Sequence, residues 1–423
     1  MRRSLVAVAA AAVCATAFVA ATSPTAQAAT TSRIPAHVFA PYFEAYNGNS
    51  LSGLSSQSGD KFLTLAFVQT PSQGSCTVYF NGDTSMPIAS GTFGSDISAI
   101  RASGGDVIPS FGGYAADNGG TEIADSCTNV DSIAAQFEKV ITTYDVTRID
   151  LDIEDNSLNR SDGIDRRNKA IKKVEDWAAA NGRLVEFSYT LPTTTAGLAD
   201  SGLAVLRSAV SNGARVDIVN MMTFDYYDGA SHNMATDTQT SANGLINQLR
   251  SLYPSKTTAQ LWQMVGITEM IGIDDFGAAE TFTLANATTV TNWAKTQGIR
   301  SLSFWALQRD NGGCPGGGAA DNCSGVAQST WQFSKTMQTF TSGTTTTTPP
   351  TTTPTTAPTT TPPTTTPTTP PTTAPGTTTW APNTAYTVGQ IVTYNGRRYQ
   401  CRQSHTSLPG WEPPNVLALW LPL

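Results

Sequence analysis

Asp150, Asp152 and Glu154 stand at every second position of the run Arg148-Ile149-Asp150-Leu151-Asp152-Ile153-Glu154, with aliphatic residues between them. Side chains alternate between the two faces of a β-strand. This spacing therefore puts the three carboxyls on one face and Ile149, Leu151 and Ile153 on the other. Like charges a few ångströms apart do not all ionise, so at least one pKa rises, and a carboxyl still protonated near neutral pH can serve as a general acid. A solvated strand face and a Ca²⁺ site of alternating acids are the competing readings. The aliphatic residues argue against the first, because a strand with an apolar back belongs to a buried sheet.

An acid ladder needs a sheet to hold it. Short β-branched or aromatic runs fall at His37–Phe43, Phe62–Val68, Val107–Phe111, Arg148–Ile153, Val185–Thr190, Ile218–Phe224, Leu261–Gly266 and Ser301–Ala306. Helical patterns fall between most of them, at Ile133–Thr143, Asp165–Asn181, Gly202–Asn212, Ala242–Tyr253 and Thr289–Gln297. Eight βα units in about 300 residues point to an α/β fold of the (β/α)8 TIM-barrel type, whose chemistry sits at the C-terminal ends of the strands. Glu154 would then close the fourth strand at the right end. A doubly wound open sheet is the alternative, but no glycine-rich phosphate loop follows the first strand.

The flanks carry a different signal. Arg2 and Arg3 precede an apolar run from Leu5 to Ala21, and Ala26-Gln27-Ala28 offers small residues where a signal peptidase cuts, so residues 1–28 read as a secretory leader rather than a retained anchor. Loss of that leader takes the formal charge from −7 to −9, and no basic patch suits nucleic acid or a membrane. An extracellular monomer is expected. Five cysteines remain beyond the leader. Cys314 with Cys323 and Cys76 with Cys127 are the expected disulfides, leaving Cys401 over. No CxxC occurs and only three histidines are present, His37, His232 and His405, so neither a metal nor a cofactor is expected. Residues 343–379 are almost entirely Thr and Pro, a semi-extended tether. It separates residues 29–342 from residues 380–423, a tail rich in aromatics and short for an independent core.

Four motifs in order resemble those of family 18 glycoside hydrolases, the chitinases and related endo-acting N-acetylglucosaminidases. They are Ser110-Phe111-Gly112-Gly113 ending strand three, Asp-x-Asp-x-Glu ending strand four, Met222-Thr223-Phe224-Asp225-Tyr226 ending strand six and Trp305 ending strand eight. The resemblance spans Ala36 to about Phe340. Thr147 stands where the family has a further Asp, and Phe224 where it commonly has the Tyr that holds the substrate's acetamido oxygen. By resemblance, Glu154 is the acid and base, Asp152 holds the acetamido group, and Asp150 shares a proton with Asp152. Asp225 and Tyr226 orient that group over Trp305, and Asp225 with either Tyr226 or Tyr227 is available for the contact that Phe224 lacks. Tyr42 and Gln263 are further lining candidates, placed by their strand ends.

The tail, with Trp380, Tyr386-Thr387-Val388-Gly389, Tyr399-Gln400-Cys401, His405-Thr406 and Gly410-Trp411-Glu412-Pro413, resembles an all-β carbohydrate-binding module of family 5/12. Trp411 is the residue that the resemblance assigns to stacking on chitin, with Trp380 and Trp420 in the core. Together these imply a substrate-assisted retaining chitinase whose partners are chitin and chitin oligosaccharides, and the stretch of about 34 residues between Gly266 and Ser301, too short for an inserted domain, points to an open groove and endo-cleavage. A non-catalytic chitin-binding barrel and an endo-β-N-acetylglucosaminidase on N-glycans are the alternatives.

Overall fold

The structure, a computed structural model, describes residues 31–342 and 378–423 apart from 383, 403–404, 408–411 and 415–418. The expected leader, nearly all of the expected tether and Trp411 lie outside the described residues. The chain divides into two compact units, Met1–Thr347 and Thr348–Leu423.

The large unit is a barrel of eight parallel strands with helices outside. The strands are β1 (Val38–Phe39 and Tyr42–Glu44), β2 (Phe62–Gln69), β3 (Asp106–Gly112), β4 (Arg148–Asp152), β5 (Glu186–Thr194), β6 (Ile218–Met222), β7 (Val265–Met270) and β8 (Ser301–Trp305). β1 is broken at Ala40-Pro41, since Pro41 has no N–H to give to a ladder. Its first half pairs with β8 and its second with β2, so the barrel closes through the two halves of one strand. Neighbours β2 to β8 pair in sequence order.

β4 shows how the ladder is built. Ile149, Leu151 and Ile153 are buried against the helices, in a cluster with Phe137, Val140, Ile141, Ile171 and Val174. Asp150 and Asp152 point into the barrel and are buried as well. The helices Val130–Tyr144 and Ser161–Ala180 bring most of that apolar cover. Asn129 caps the first through the amide of Ser132.

The seventh strand was expected at Leu261–Gly266, but Thr258–Trp262 is helical and the strand runs Val265–Met270. Thr257 and Gln260 form a reciprocal capping box that starts this short helix. Leu261 and Trp262 are apolar because the helix buries them; a short apolar run does not distinguish a buried helix from a strand. Between β7 and β8 the chain also makes a hairpin, Gly272–Asp274 with Gly277–Phe282, before the helix Leu284–Gln297. The disulfides Cys76–Cys127 and Cys314–Cys323 form as expected. Among the described residues no helix is long and apolar enough to cross a membrane.

The small unit is all β. Thr378–Thr379, Ile391–Tyr394, Arg397–Cys401 and Trp420–Pro422 make one sheet, and Ala385–Tyr386 pairs with His405–Thr406. Asn395-Gly396, both at positive φ, closes the two-residue turn between the middle strands. Its core holds Trp380, Tyr386, Val392, Tyr399, Cys401 and Trp420, so large rings supply most of what so short a chain can bury.

Candidate active site

The three ladder carboxyls sit at graded depths. Asp150 is deepest and is held by hydroxyls, its Oδ2 accepting from Ser110 Oγ at 2.6 Å and Tyr42 Oη at 2.9 Å, and its Oδ1 from Thr190 Oγ1 at 2.7 Å. Burial pushes its pKa up, and these donors oppose the rise. Asn220 extends the layer by donating to Thr190 Oγ1 at 2.9 Å and Thr268 Oγ1 at 2.7 Å. Thr147 lies away from this layer, at the start of β4, with Ser32 Oγ 3.0 Å from its hydroxyl. Hydroxyls and an amide therefore surround Asp150.

Asp152, one step up, has no such support. Its Oδ1 is buried with no partner among the described residues. Burial first, then the carboxyls of Glu154, Asp150 and Asp117, push its pKa well up. Glu154, beyond the end of β4, is raised to about 7 by burial and then by Asp225, against a backbone hydrogen bond from Tyr114. The backbone enforces this arrangement. A Cβ on Gly112 would come within 2.0 Å of the Asp152 carbonyl oxygen, and one on Gly113 within 2.5 Å of the Phe67 ring. Both residues have positive φ, so glycine is required at each.

Asp152 and Glu154 open into a cavity of 620 Å³, also lined by Tyr114, Phe224, Asp225, Tyr227 and Trp305, a volume usual for a ligand cleft. Trp305 stacks on Phe67 with centroids 5.6 Å apart and planes 9° from parallel, giving the cavity an apolar floor. Tyr114 and Tyr227, 61% and 62% exposed, flank its mouth.

The loop after β6 decides between the two tyrosines. Tyr226 turns away from the cavity and packs on His232, with centroids 5.0 Å apart, because the hairpin acids fix the loop backbone. Glu280 accepts from the amides of Tyr226 at 2.9 Å and Tyr227 at 3.3 Å, and Asp274 accepts from that of Asp225 at 3.3 Å. Asp225 and Tyr227 are held at positive φ, and it is Tyr227 that lines the cavity. Asp225 is raised to about 7 by burial and by Asp275 and Glu280, and its Oδ1 is buried without a partner among the described residues.

Two other expectations also change. Tyr42 lies below the cavity and carries Asp150, so it does not line the cavity wall. Gln263 caps the helix before β7 and is exposed at the strand's N-terminal end, opposite the site, since the strand begins later than expected. Asp117 was missed. It lies on the short helix after Gly113, buried, and its Oδ2 accepts from the backbone N–H of Glu154. Behind it Arg167 forms a buried ion pair with Glu122 at 2.8 Å, and its positive charge opposes the rise that burial and Glu122 impose on the Asp117 pKa. No period marks an isolated Asp on a one-turn helix, so only the nearby glycine pair hinted at it.

The sequence matches the profile of glycosyl hydrolases family 18 over residues 38–292 and that of carbohydrate-binding module family 5/12 over residues 379–421. It is 33% identical to a probable bifunctional chitinase/lysozyme of Escherichia coli, over 67% of this chain and 32% of that protein. It is 32% identical to endochitinase 11 of Metarhizium anisopliae, over 65% of this chain and 53% of that one. The chain thus spans about a third and about half of these two relatives. Active domain 2 of a chitinase from Pyrococcus furiosus shares the fold with a TM-score of 0.63 and 31% identity, over 73% of this chain and 96% of that domain.

Proposed function

Because the chain belongs to glycosyl hydrolase family 18 and carries a module of family 5/12, we propose that it is a secreted chitinase that cuts β-1,4 bonds between N-acetylglucosamine units. The observation that carries this reading is the pairing of Glu154 with Asp152, whose Oδ1 is unpartnered, over the apolar floor of one cavity. Residues 1–28 would be removed as a leader. Residues 29–342 would do the chemistry, and the tether 343–379 would join them to the module at 380–423. The relatives named above are described as chitinases, which agrees with this assignment.

In the proposed mechanism the substrate's own acetamido oxygen attacks the anomeric carbon, the route by which this family differs from glycosidases with a carboxylate nucleophile. Glu154 gives its proton to the glycosidic oxygen, and the leaving sugar departs as an alcohol. Asp152 accepts from the acetamido N–H and balances the positive oxazolinium ring. Water then attacks the same carbon from the vacated face, giving its proton to Glu154, and the configuration is retained. The wall between β7 and β8 holds a hairpin and one helix, with no inserted domain, which favours an open cleft and endo-cleavage.

Product analysis from chitin oligosaccharides and from an N-glycosylated protein, with Glu154→Gln as control, tests this reading. Cleavage of the oligosaccharides supports it. Release of N-glycans alone indicates an endo-glycosidase, and tight binding of oligosaccharides without any product indicates a binding protein.

Tyr227, with its hydroxyl beside Asp225, is the side chain placed to supply the acetamido contact that Phe224 lacks. Tyr227→Phe is expected to lower kcat about ten- to a hundredfold, as a hydrogen bond to a charged group is lost. Tyr226→Phe and Phe224→Tyr should change it little. Steady-state kinetics on a soluble oligosaccharide decides, and a strong gain from Phe224→Tyr would count against Tyr227.

Trp411, carried over as the stacking aromatic of the tail, gives a separate test. A stacked ring adds about 0.5–1.5 kcal/mol beyond its area, so Trp411→Ala should weaken adsorption to crystalline chitin about three- to tenfold. Hydrolysis of soluble oligosaccharides should not change, since they reach the barrel by diffusion. Depletion assays on chitin powder measure the first effect.

A further inference from the structure

A second depression opens beside the acid cavity, above the loops that follow β1 and β8. It measures 520 Å³ and is lined by Asn47, Asn49, Gln308, Asp321, Asn322 and Trp331. Asp321 lines the acid cavity too, so the two share a wall. A chain that leaves the acid cavity along that wall would meet the second depression.

The lining fits an uncharged polar polymer. Four of its side chains are amides, each offering a donor and an acceptor, as hydroxyl and acetamido groups require. Trp331 adds an apolar face of the kind that stacks on the C–H face of a pyranose. No lysine or arginine lines it, which disfavours phosphate or carboxylate ligands.

The walls are braced from both loops. Gln308 Oε1 accepts from the Glu44 amide and its Nε2 donates to the Glu44 carbonyl, each at 3.1 Å, which ties the loop after β8 to β1. Asn47 donates to the Glu44 carboxylate at 2.7 Å. The disulfide Cys314–Cys323 closes the loop that presents Asp321 and Asn322, and Asn311 Nδ2 donates to the Asn322 carbonyl at 2.6 Å. Trp331 is fixed through its amide, 2.8 Å from the Asp310 carbonyl. The side chains of Asn49 and Asn322, by contrast, make no hydrogen bond among the described residues and are exposed. Fixed walls with uncommitted amides are what a preorganised subsite needs.

We propose that this depression is a distal sugar subsite. Trp331 stacks on an N-acetylglucosamine ring there, and Asn49 and Asn322 bond its polar groups. The subsite rests on the chitinase reading above and adds to it a preference for longer chains.

Hydrolysis of the chitin trisaccharide and hexasaccharide by the full chain, Trp331→Ala and Asn49→Ala tests the proposal. The quantity read is the ratio of kcat/KM for the hexasaccharide to that for the trisaccharide. It should fall about three- to tenfold in Trp331→Ala, the equivalent of one lost stacking contact, and about two- to fivefold in Asn49→Ala, the equivalent of one lost hydrogen bond. Trp331 also packs on the barrel core, so thermal melting accompanies each variant, and the exposed Asn49→Ala decides if Trp331→Ala misfolds. An unchanged ratio in a variant that melts normally overturns the subsite. Failure of the parent protein to cleave either oligosaccharide overturns the chitinase reading instead.

Discussion

Replacing Glu154 by Gln should lower turnover on chitin oligosaccharides by at least about 10²–10⁴-fold, the usual worth of a positioned acid and base. The fold should survive. Burial holds Glu154 at about 7 in the folded protein, against about 4.3 for an exposed glutamate. Between those values the folded state binds more protons than the unfolded one, so this group's contribution to stability falls as pH rises and is least favourable above about 7. A neutral amide is free of that penalty, and the variant should melt no lower than the parent at pH 8. The same value sets the pH profile. In the proposed mechanism the protonated carboxyl is the active form, so kcat/KM should decline as pH climbs through about 7, with an apparent midpoint that belongs to the acid cluster jointly. Near-normal turnover in Glu154→Gln would remove it from the chemistry.

Asp152→Asn should fall next, by about 10²–10³-fold, the scale for removing one preorganised group from a developing charge. Asp152 is already pushed strongly toward its neutral form by burial and by Glu154, so an amide of the same shape should disturb the ground state little. The loss should appear in kcat with KM nearly unchanged, because the carboxylate is needed once the oxazolinium charge forms. Asp150→Asn should be milder. Initial rates on a chromogenic chitin oligosaccharide, with near-UV circular dichroism on each variant, check both statements; equal losses in kcat and in melting temperature would instead mark Asp152 as a packing residue.

The ladder was legible because a period of two has one meaning. Asp150 and Asp152 point inward and Ile149 and Leu151 outward because the backbone alternates. The eight units were legible because β-branched or aromatic runs alternate with helical patterns, though the helices begin earlier than read, at caps such as Asn233 and Thr283. What failed depended on backbone direction in loops. Tyr226 and Tyr227 are adjacent, and only the amide bonds from the hairpin acids decide which faces the cavity. Gln263 failed through the capping box, which converts an apolar run into a helix and moves the strand along. Tyr114 and Asp117 reach the site from the short helix after Gly113 and Asp321 from the loop after β8, and tertiary placement of that kind leaves no mark in local spacing.

The acids of the ladder come from a single strand, and Gly112 and Gly113 fix its end, while the walls come from a hairpin after β7 and a disulfide-closed loop after β8. Heredity can therefore treat the two parts differently. Under the proposed function, a substitution at β4 or at the glycine pair changes the reaction itself. A lengthening of the loop after β8 would leave Asp150, Asp152 and Glu154 where they are and, under the proposed function, alter which polymers can lie across them, whereas the hairpin after β7 also holds the backbone of Asp225 and Tyr227. Descendants of one ancestral barrel can in this way diverge in diet while keeping the same bond-breaking step.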